Sequence, residues 1–262
     1  MVALANDAFR RHTLEIYLNT PLEQHQLELS RNKKAWREKP LLQKVYRGCY
    51  DKVAQLVDLS IPGKIIEVGS GMGLLKERFP SAICSDLFCN DWLDLACDAY
   101  ELPFSRGSIS HLIAFDVFHH LEWPRAFLKE SKRVLAPGGR LILFEPYVSL
   151  LSLFAYGLFH HEPLALSKPI SLARTAPRQR QYYAAQGNLT RLLHQPEFFQ
   201  EWEIFHNEPM ASFAYLLSGG FSKPSMYPHA LAGTLTRLDS RFSKWPRLFG
   251  ARCLLGASPL RA

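Results

Sequence analysis

The feature that most constrains the fold is a short apolar run that leads straight into three glycines. Residues 64–68 read KIIEV, and glycines follow at positions 69, 71 and 73. Glycine adopts left-handed backbone angles at little steric cost and lets a ligand approach the main chain closely. A helix that begins after such a turn favours negative charge at its N-terminus. This pattern predicts the first strand of an α/β sheet, with a possible ligand site where the strand ends.

Three later runs repeat the strand pattern. They read AICSD, HLIAFD and RLILFEP, and segments of crossover length separate them. Nearly continuous apolar runs of this kind are typical of parallel strands that helices cover on both faces. Two further runs, EWEIF and RCLLGAS, predict the last strands. The sequence therefore predicts an α/β fold.

The chain divides by pattern into four segments. Apolar side chains at helical spacing in residues 31–59 place residues 1–60 in an N-terminal helical segment or lid. Residues 61–146 form the predicted core. Repeated prolines then break the pattern, and we interpret residues 147–200 as an inserted helical cap and 201–262 as strands that complete the sheet.

Composition and charge limit the class of protein and its partners. A chain of 262 residues, 47% hydrophobic, is expected to form one main globular domain. Five cysteines without a CxxC pair, and no apolar run like a signal peptide or a membrane span, favour a cytoplasmic location. The net charge of +7 favours an anionic partner. Basic residues do not alternate with aromatics in a dense stretch, so no nucleic acid is expected, whereas peripheral membrane contact stays open.

The spacing of the glycines excludes the usual dinucleotide fingerprint. That fingerprint, GxGxxG, needs its third glycine where this chain has Leu74. The chain has instead an acid, Glu67, followed by glycines at every second position. Alone, such a loop also fits a tight turn that binds nothing. Asp86, at the end of AICSD, adds a carboxylate that could accept hydrogen bonds from ribose hydroxyls.

Taken in order, these segments resemble the motifs of class I S-adenosylmethionine-dependent methyltransferases. The segments CDAYELPF, HLIAFDVFHHLEWP and FLKESKRVLAPGGRLILFEP complete the series, and the resemblance covers roughly residues 61–146. It implies a Rossmann-like, seven-stranded, mostly parallel sheet with helices on both faces, and S-adenosylmethionine across the tips of the first, second and fourth strands. FAYGLFHHEP and LSGGFSKP resemble, more loosely, a bacterial subset associated with surface-polysaccharide assembly.

The resemblance also implies which residues bind the methyl donor. The glycines would line its methionine portion, and Glu67 would orient the loop and the bound amino group. Asp86 would hold the ribose. Asp98 and the Ala99 main chain would read the adenine, and Phe115 would lie beside the donor. The predicted donor-binding residues are Glu67, Gly69, Ser70, Gly71, Gly73, Asp86, Leu87, Asp98, Ala99, Phe115 and His119.

One departure from the family pattern affects the ribose site. Only 12 residues separate Gly73 from Asp86, so the intervening helix is shorter than usual. Asp91 and Asp94 are therefore alternatives for the ribose role, although both also fit the interpretation of plain surface acids.

Two histidine doublets supply the candidate bases. Methyl transfer from a sulfonium depends mainly on orienting the acceptor in a dry pocket, and a base helps when the acceptor is a hydroxyl. The catalytic candidates are His120, after the predicted fourth strand, and His161, in the cap next to Glu162. Local packing, or a polar end to an apolar helix, is the alternative for each doublet. No metal site is predicted.

These inferences predict an S-adenosylmethionine-dependent methyltransferase that acts on a small or carrier-linked acceptor, an oxygen of a sugar or related metabolite. Methylation of a lipid or quinone-like ring is the alternative among enzymes, because the apolar residues 147–159 and the positive charge suit it. A non-catalytic nucleotide-binding or nucleic-acid-binding module is the alternative from another class. The sequence leaves the oligomeric state open.

Overall fold

The computed structural model describes residues 22–159, 170 and 187–260, which are built around one sheet. The strands are β1 (Lys64–Val68), β2 (Ile83–Asp86), β3 (Leu95–Ala96), β4 (Ile109–Phe115), β5 (Leu135–Pro146), β6 (Trp202–Ala211) and β7 (Gly250–Pro259). Their order across the sheet is β3-β2-β1-β4-β5-β7-β6. Strands β1 to β5 pair in parallel, and β7 pairs antiparallel with both β5 and β6. The predicted seven-stranded, mostly parallel sheet is confirmed.

The helices flank and connect these strands. They are α1 (Leu22–Glu38), α2 (Pro40–Gln55), α3 (Pro124–Val134), α4 (Leu150–Phe159), α5 (Asn188–Leu192), α6 (Phe213–Leu217), α7 (Ala232–Phe242) and α8 (Pro246–Phe249). The helix predicted over residues 31–59 is divided between α1 and α2, and its apolar stripe lies on α2. The break lies at Lys39, whose φ of −119° and ψ of 84° are not helical, because a residue that precedes proline disfavours the helical region.

Two short elements depart from the sequence pattern. The predicted helix LLKERF is a four-residue 3-10 helix, Leu74–Glu77. Strand β3 was not predicted, since two residues carry no periodic signal. The 3-10 helix directly follows the glycine loop, so the first crossover of the sheet is unusually compact, whereas β3 pairs with β2 later in the chain.

Helices cover the sheet on both faces. On one face, side chains such as Ile66 and Leu112 pack with residues of α3 and α5. On the other, Ile65, Ile113 and Phe115 pack with the apolar side of α2. With both faces covered, the open approach for a ligand is the edge where the parallel strands end, as in other doubly wound folds.

The cap is described only in part. Helices α4 and α5 belong to it, whereas residues 160–169 and 171–186 lie outside the described residues, and with them the candidate base His161 and its neighbour Glu162. The division of the chain into four segments stays a prediction. Within the described ranges, no helix combines the length and apolar character needed to cross a membrane.

Candidate functional site

Three glycines with left-handed backbone angles follow β1. Gly69, Gly71 and Gly73 have φ values of 64°, 50° and 70°. A Cβ on Gly69 would overlap a methyl group of Val117, so close packing also requires glycine there. A Cβ on Gly71 would meet nothing nearer than a methyl carbon of Leu29 at 4.0 Å. The main chain at Gly71 therefore borders open space, and the loop forms a shallow cradle.

Asp86 lies at the tip of β2 and holds this loop in place. The Gly71 N–H donates to its Oδ2 (2.9 Å), and the Leu87 N–H donates to its Oδ1 (2.7 Å). A second link joins the loop to β2, since the Ser70 N–H donates to the Ser85 carbonyl (2.9 Å). The residues predicted for the loop and the ribose are thus brought together by direct hydrogen bonds.

The two alternative acids lie elsewhere. Asp94 accepts a hydrogen bond from the Cys84 N–H (2.9 Å) and pairs with Lys76 (2.7 Å), so it braces the middle of β2. Asp91 is exposed. Neither contacts the glycine loop in the hydrogen bonds described, which favours Asp86 for the predicted ribose role.

Glu67 is fully buried beneath the loop. The Tyr50 hydroxyl donates to its Oε1 (2.9 Å), and the Cys84 thiol lies 3.7 Å from its Oε2. Burial raises the pKa of Glu67 to about 7, although the hydrogen bonds act in the opposite direction. Its carboxyl therefore joins β1, β2 and α2, while the predicted contact with the donor's amino group stays a prediction.

Residues that the sequence did not single out close over the loop. The Trp92 indole N–H donates to the Gly71 carbonyl (2.7 Å), and the Lys33 ammonium lies 2.7 Å from the centre of the Trp92 ring. Leu29 of α1, near Gly71, is also buried. No local pattern marks these side chains, because α1 reaches the loop only through the tertiary fold.

Asp98 lies at the next strand tip, just after β3. It is buried, and its Oδ1 accepts a hydrogen bond from the Tyr100 N–H (3.0 Å). The Cys97 N–H donates to the Asp86 main-chain carbonyl (2.9 Å), which places the two acids on adjoining segments. Ala99 follows Asp98 and is half-buried. The predicted adenine and ribose residues therefore share one edge of the sheet.

Phe115 ends β4, as predicted, but its ring lies in the core. It stacks on Tyr50, with ring centres 4.5 Å apart, and on Phe144 at 4.6 Å. Only 7% of the residue is exposed. The ring thus supports the face covered by α2, and any contact with a donor would come from its edge or main chain.

The first histidine doublet is bound to a buried acid that the sequence analysis missed. Nδ1 of His119 lies 2.6 Å from Oε2 of Glu145, which is fully buried. The same carboxylate accepts main-chain N–H groups of residues 117, 118 and 119. The rings of His119 and His120 are 3.9 Å apart. Local bonding, one of the two interpretations of this doublet, is therefore observed for His119. The sequence signal that could have identified Glu145 is its position as the acid that ends the apolar run LILFE.

A second charged pair lies at the same end of the sheet. Asp116 follows β4 with a φ of 56°, uncommon for a residue with a side chain, and its carboxylate pairs with the guanidinium of Arg252 in β7. Arg252 is 3% exposed and lies 4.2 Å from the ring centre of Tyr215. Tyr46 packs beside Tyr215 (5.8 Å) and Phe221 (5.0 Å). Aromatic rings and compensated charges thus line this side.

The fully buried Asn188 fastens the cap to the histidine turn. Its amide nitrogen donates to the carbonyls of Phe118 (2.7 Å) and Leu121 (2.8 Å). Helix α5 therefore fixes the position of the turn that carries both histidines. In the ranges that the structure describes, no group of three or more His, Cys, Asp or Glu side chains is placed to hold a metal ion.

The donor edge, which we define as the tips of β1, β2 and β3, has chemistry that fits a sulfonium nucleoside. A Cβ-sized space lies beside Gly71, the Asp86 carboxylate accepts its N–H, and Asp98 lies at the adjoining strand tip. Acidic acceptors suit ribose hydroxyls, an adenine amino group and a positively charged sulfur.

Comparison with known proteins agrees with this assignment. Residues 66–143 match the family described as "Methyltransferase domain". The demethylmenaquinone methyltransferase of Thermus thermophilus is 34% identical over 113 residues, which covers 34% of this chain and 51% of that protein. The chain thus spans about half the length of this curated relative.

Solved structures with a similar fold include two of comparable size. A methyltransferase of Thermotoga maritima, described as a possible histamine N-methyltransferase, is 16% identical, with a TM-score of 0.48 and coverage of 95% of this chain and 99% of that one. The cyclase SpnF is 18% identical, with a TM-score of 0.47 and coverage of 82% and 81%. Residues 66–143 thus match the methyltransferase domain family, and the sheet order and the glycine loop of the structure are consistent with that match.

Proposed function

We propose that this chain transfers a methyl group from S-adenosylmethionine to an acceptor held beside the tips of β4, β5 and β7. One observation carries the proposal: the main chain at Gly71, open on its outer side, is hydrogen-bonded to the Asp86 carboxylate at the neighbouring strand tip. Within a methyltransferase domain, this arrangement supports a site for an amino-acid tail joined to a ribose.

The residues of the donor edge would divide the donor among them. The glycine loop would take the amino-acid tail, Asp86 the ribose, and Asp98 with Ala99 the adenine. When bound, S-adenosylmethionine supplies a methyl group on a good leaving group, so the protein's part is to orient both reactants and exclude water. The cover that Trp92 and Lys33 form over the loop would help to keep that edge dry.

The acceptor edge favours an apolar acceptor. We define it as the C-terminal ends of β4 and β5 and the start of β7, with the aromatic residues around them. Tyr46, Tyr215 and Phe221 form an aromatic wall around the Asp116–Arg252 pair. Aromatic walls suit a planar ring with an apolar tail. The name of the Thermus relative, which refers to a quinone, agrees with this preference. We therefore propose a lipid or quinone-like ring as the first acceptor class.

An oxygen of a sugar is the second acceptor class. The observation in its favour is the pair formed by His119 and Glu145, because a histidine oriented by a carboxylate is the usual arrangement of a general base for a hydroxyl. In that case His119 or the adjacent His120 would take the proton.

Calorimetry with S-adenosylmethionine and with its demethylated product tests the donor site. We expect saturable binding of both, and Asp86→Asn should weaken it about tenfold or more, because charge-assisted hydrogen bonds contribute about 1.5–3 kcal/mol. The matched control is Asp91→Asn, an exposed acid five positions later, which should bind normally. If the parent chain binds neither ligand, the proposal is wrong. If the parent binds and the Asp86→Asn variant binds equally well, only the ribose role of Asp86 is wrong.

Acceptor profiling with radiolabelled donor separates the two acceptor classes. Label that appears in lipid extracts, and not in polar sugar extracts, supports the apolar acceptor. Label confined to the sugar fraction, and lost in a His119→Gln variant that still binds donor, supports the sugar oxygen instead. No label in either fraction, with donor binding intact, contradicts both.

A further inference from the structure

Exposed apolar side chains are concentrated on one part of the surface. Among the residues that the structure describes, twelve large hydrophobic residues are exposed, and five of them lie within residues 226–248. Three more lie on α4, which contacts α8. Single exposed apolar residues are ordinary, but a concentration of this kind is typical of an interaction site.

The exposed residues around α7 form an apolar row and a basic row, which together we name the α7 surface. The apolar row has Leu231 just before α7, Leu238 within it and Trp245 three residues past its end, and these residues are 48%, 39% and 51% exposed. The basic row, Arg237, Arg241 and Lys244, is exposed beside it. An amphipathic surface of this composition resembles those of helices that lie in a membrane interface.

The charge of the α7 surface is one-sided. Residues 226–248 contain four Lys or Arg and one acid, Asp239. Asp239 points inward, where it accepts the N–H groups of Phe213 (2.5 Å) and Ala214 (3.3 Å). Among the described residues, no ion pair involves a member of the basic row. The positive charge therefore faces outward.

The inner side of α7 is firmly attached, so the outer side is presented in a fixed position. Phe242 packs edge-on against Phe213 (5.4 Å) and Phe249 (4.8 Å). The Ala211 N–H donates to the Ser243 hydroxyl (2.9 Å), and Leu235 packs on a small buried cluster. Leu238 is thus exposed on a well-packed helix, and Leu231 and Trp245 are exposed on the segments that flank it.

We infer that the α7 surface docks this protein on a membrane that contains anionic lipid. The apolar row would enter the boundary between headgroups and acyl chains, while the basic row contacts lipid phosphates. Nucleic acid would use the basic row alone and leave Trp245 and the two leucines exposed. A second copy of the chain that packed its apolar row on this one around a two-fold axis would leave both basic rows without acidic partners.

The position of the α7 surface also suits the proposed function, although docking does not depend on it. Helix α7 packs on α6, which carries Tyr215 of the acceptor edge. A protein docked through α7 would hold its aromatic wall close to the lipid. If the acceptor is a lipid or quinone-like ring, docking would shorten its path to the site.

Vesicle sedimentation with the full chain tests the inference. Vesicles of phosphatidylcholine with about one third phosphatidylglycerol should bind the protein, and pure phosphatidylcholine should not. Arg237→Glu with Arg241→Glu should lower the bound fraction about tenfold or more, because each basic residue near an anionic surface contributes measurably. The matched control is Arg125→Glu with Lys129→Glu, the same charge change at the same spacing on α3, which should bind like the parent.

A second measurement reports the apolar row. Lipids brominated in the acyl chain should quench the fluorescence of the parent, and Trp245→Phe should keep binding and lose most of the quenching. Donor calorimetry on every variant shows whether the methyltransferase site is intact, which separates failure of docking from failure of the proposed function.

The inference is overturned by equal binding to neutral vesicles, by equal loss in both double variants, by quenching that Trp245→Phe leaves unchanged, or by self-association that depends on the α7 surface. Binding to nucleic acid that the Arg237 and Arg241 changes abolish, without any vesicle binding, would do the same.

Discussion

The donor edge and the acceptor edge are built in different ways. At the donor edge, main-chain groups bind side chains close by in the sequence, as in the bond from Gly71 to Asp86, 15 residues apart. At the acceptor edge, side chains from distant segments meet, and Asp116 and Arg252 are 136 residues apart. A site made from one loop and the next strand tip therefore leaves a sequence pattern, whereas a site assembled from several segments does not.

The two edges also differ in how their charges are balanced. The donor edge contains the carboxyls of Asp86 and Asp98 beside an open main chain, which suits a cationic ligand. At the acceptor edge, the Asp116 and Glu145 carboxyls already contact Arg252 and His119. The donor-edge acids thus bind main-chain N–H groups, whereas the acceptor-edge acids also contact basic side chains.

The largest expected effect tests how strictly the donor edge depends on its main chain. Gly69→Ala should lower the free energy of unfolding by about 4 kcal/mol, because the new methyl group overlaps Val117 and φ is 64°. Gly48→Ala is the matched control, because Gly48 lies inside α2 and a Cβ there would meet nothing within 4 Å. This variant should raise the free energy of unfolding by about 0.5–1 kcal/mol. Denaturant unfolding of both variants measures the difference. Equal stabilities would show that the loop tolerates side chains.

The next effect tests whether the acceptor edge depends on its compensated pair. Arg252→Met should cost about 3 kcal/mol of unfolding free energy, because it leaves the Asp116 carboxylate without its buried cation. Donor affinity should change little, since the donor edge is elsewhere. Arg47→Met, which breaks an exposed pair with Glu77, should cost less than about 1 kcal/mol. Adding Asp116→Asn to the Arg252 variant should recover part of the loss, and no recovery would mean that the two residues act independently.

The smallest effect concerns pH and the buried acid under the glycine loop. The pKa of Glu67 is raised from 4.5 to about 7 by burial, so the folded chain holds this proton more tightly than the unfolded chain does. Its contribution to stability is therefore full below the unfolded value and is lost as pH rises towards 7. Between about pH 5 and pH 8, the free energy of unfolding of the Glu67→Gln variant should fall by about 2 kcal/mol less than that of the parent. Denaturant unfolding across that range gives the slope.

Glu77→Gln, an exposed acid, is the control for the pH series. It should leave the pH dependence of the parent unchanged. If the Glu67 variant and the parent give parallel curves, the buried carboxyl does not titrate in this range.

Local chemistry explains which site residues the sequence could predict. The glycines and Asp86 were identified because strand, turn and strand tip follow within about twenty residues, and parallel strand ends meet at one edge. Glu145 was missed although it ends an apolar strand, because only the folded chain shows that its carboxylate binds the turn at residues 117–119. Neither Arg252 nor Tyr215 belongs to a recognisable sequence motif, so neither could be predicted as a site residue. Phe115 was placed correctly in the chain, but the direction of its ring depends on packing with α2.

The parallel sheet, its glycine loop and the acids at the tips of β2 and β3 could all be predicted from the amino-acid sequence. These features follow from hydrophobic runs, backbone freedom and short-range order, which are local properties. Only the tertiary structure decided that α1 and Trp92 cover the loop, that Asp116 meets Arg252, and that a basic, apolar surface forms on α7. Such contacts join segments far apart in the chain, and their geometry depends on how the whole core packs.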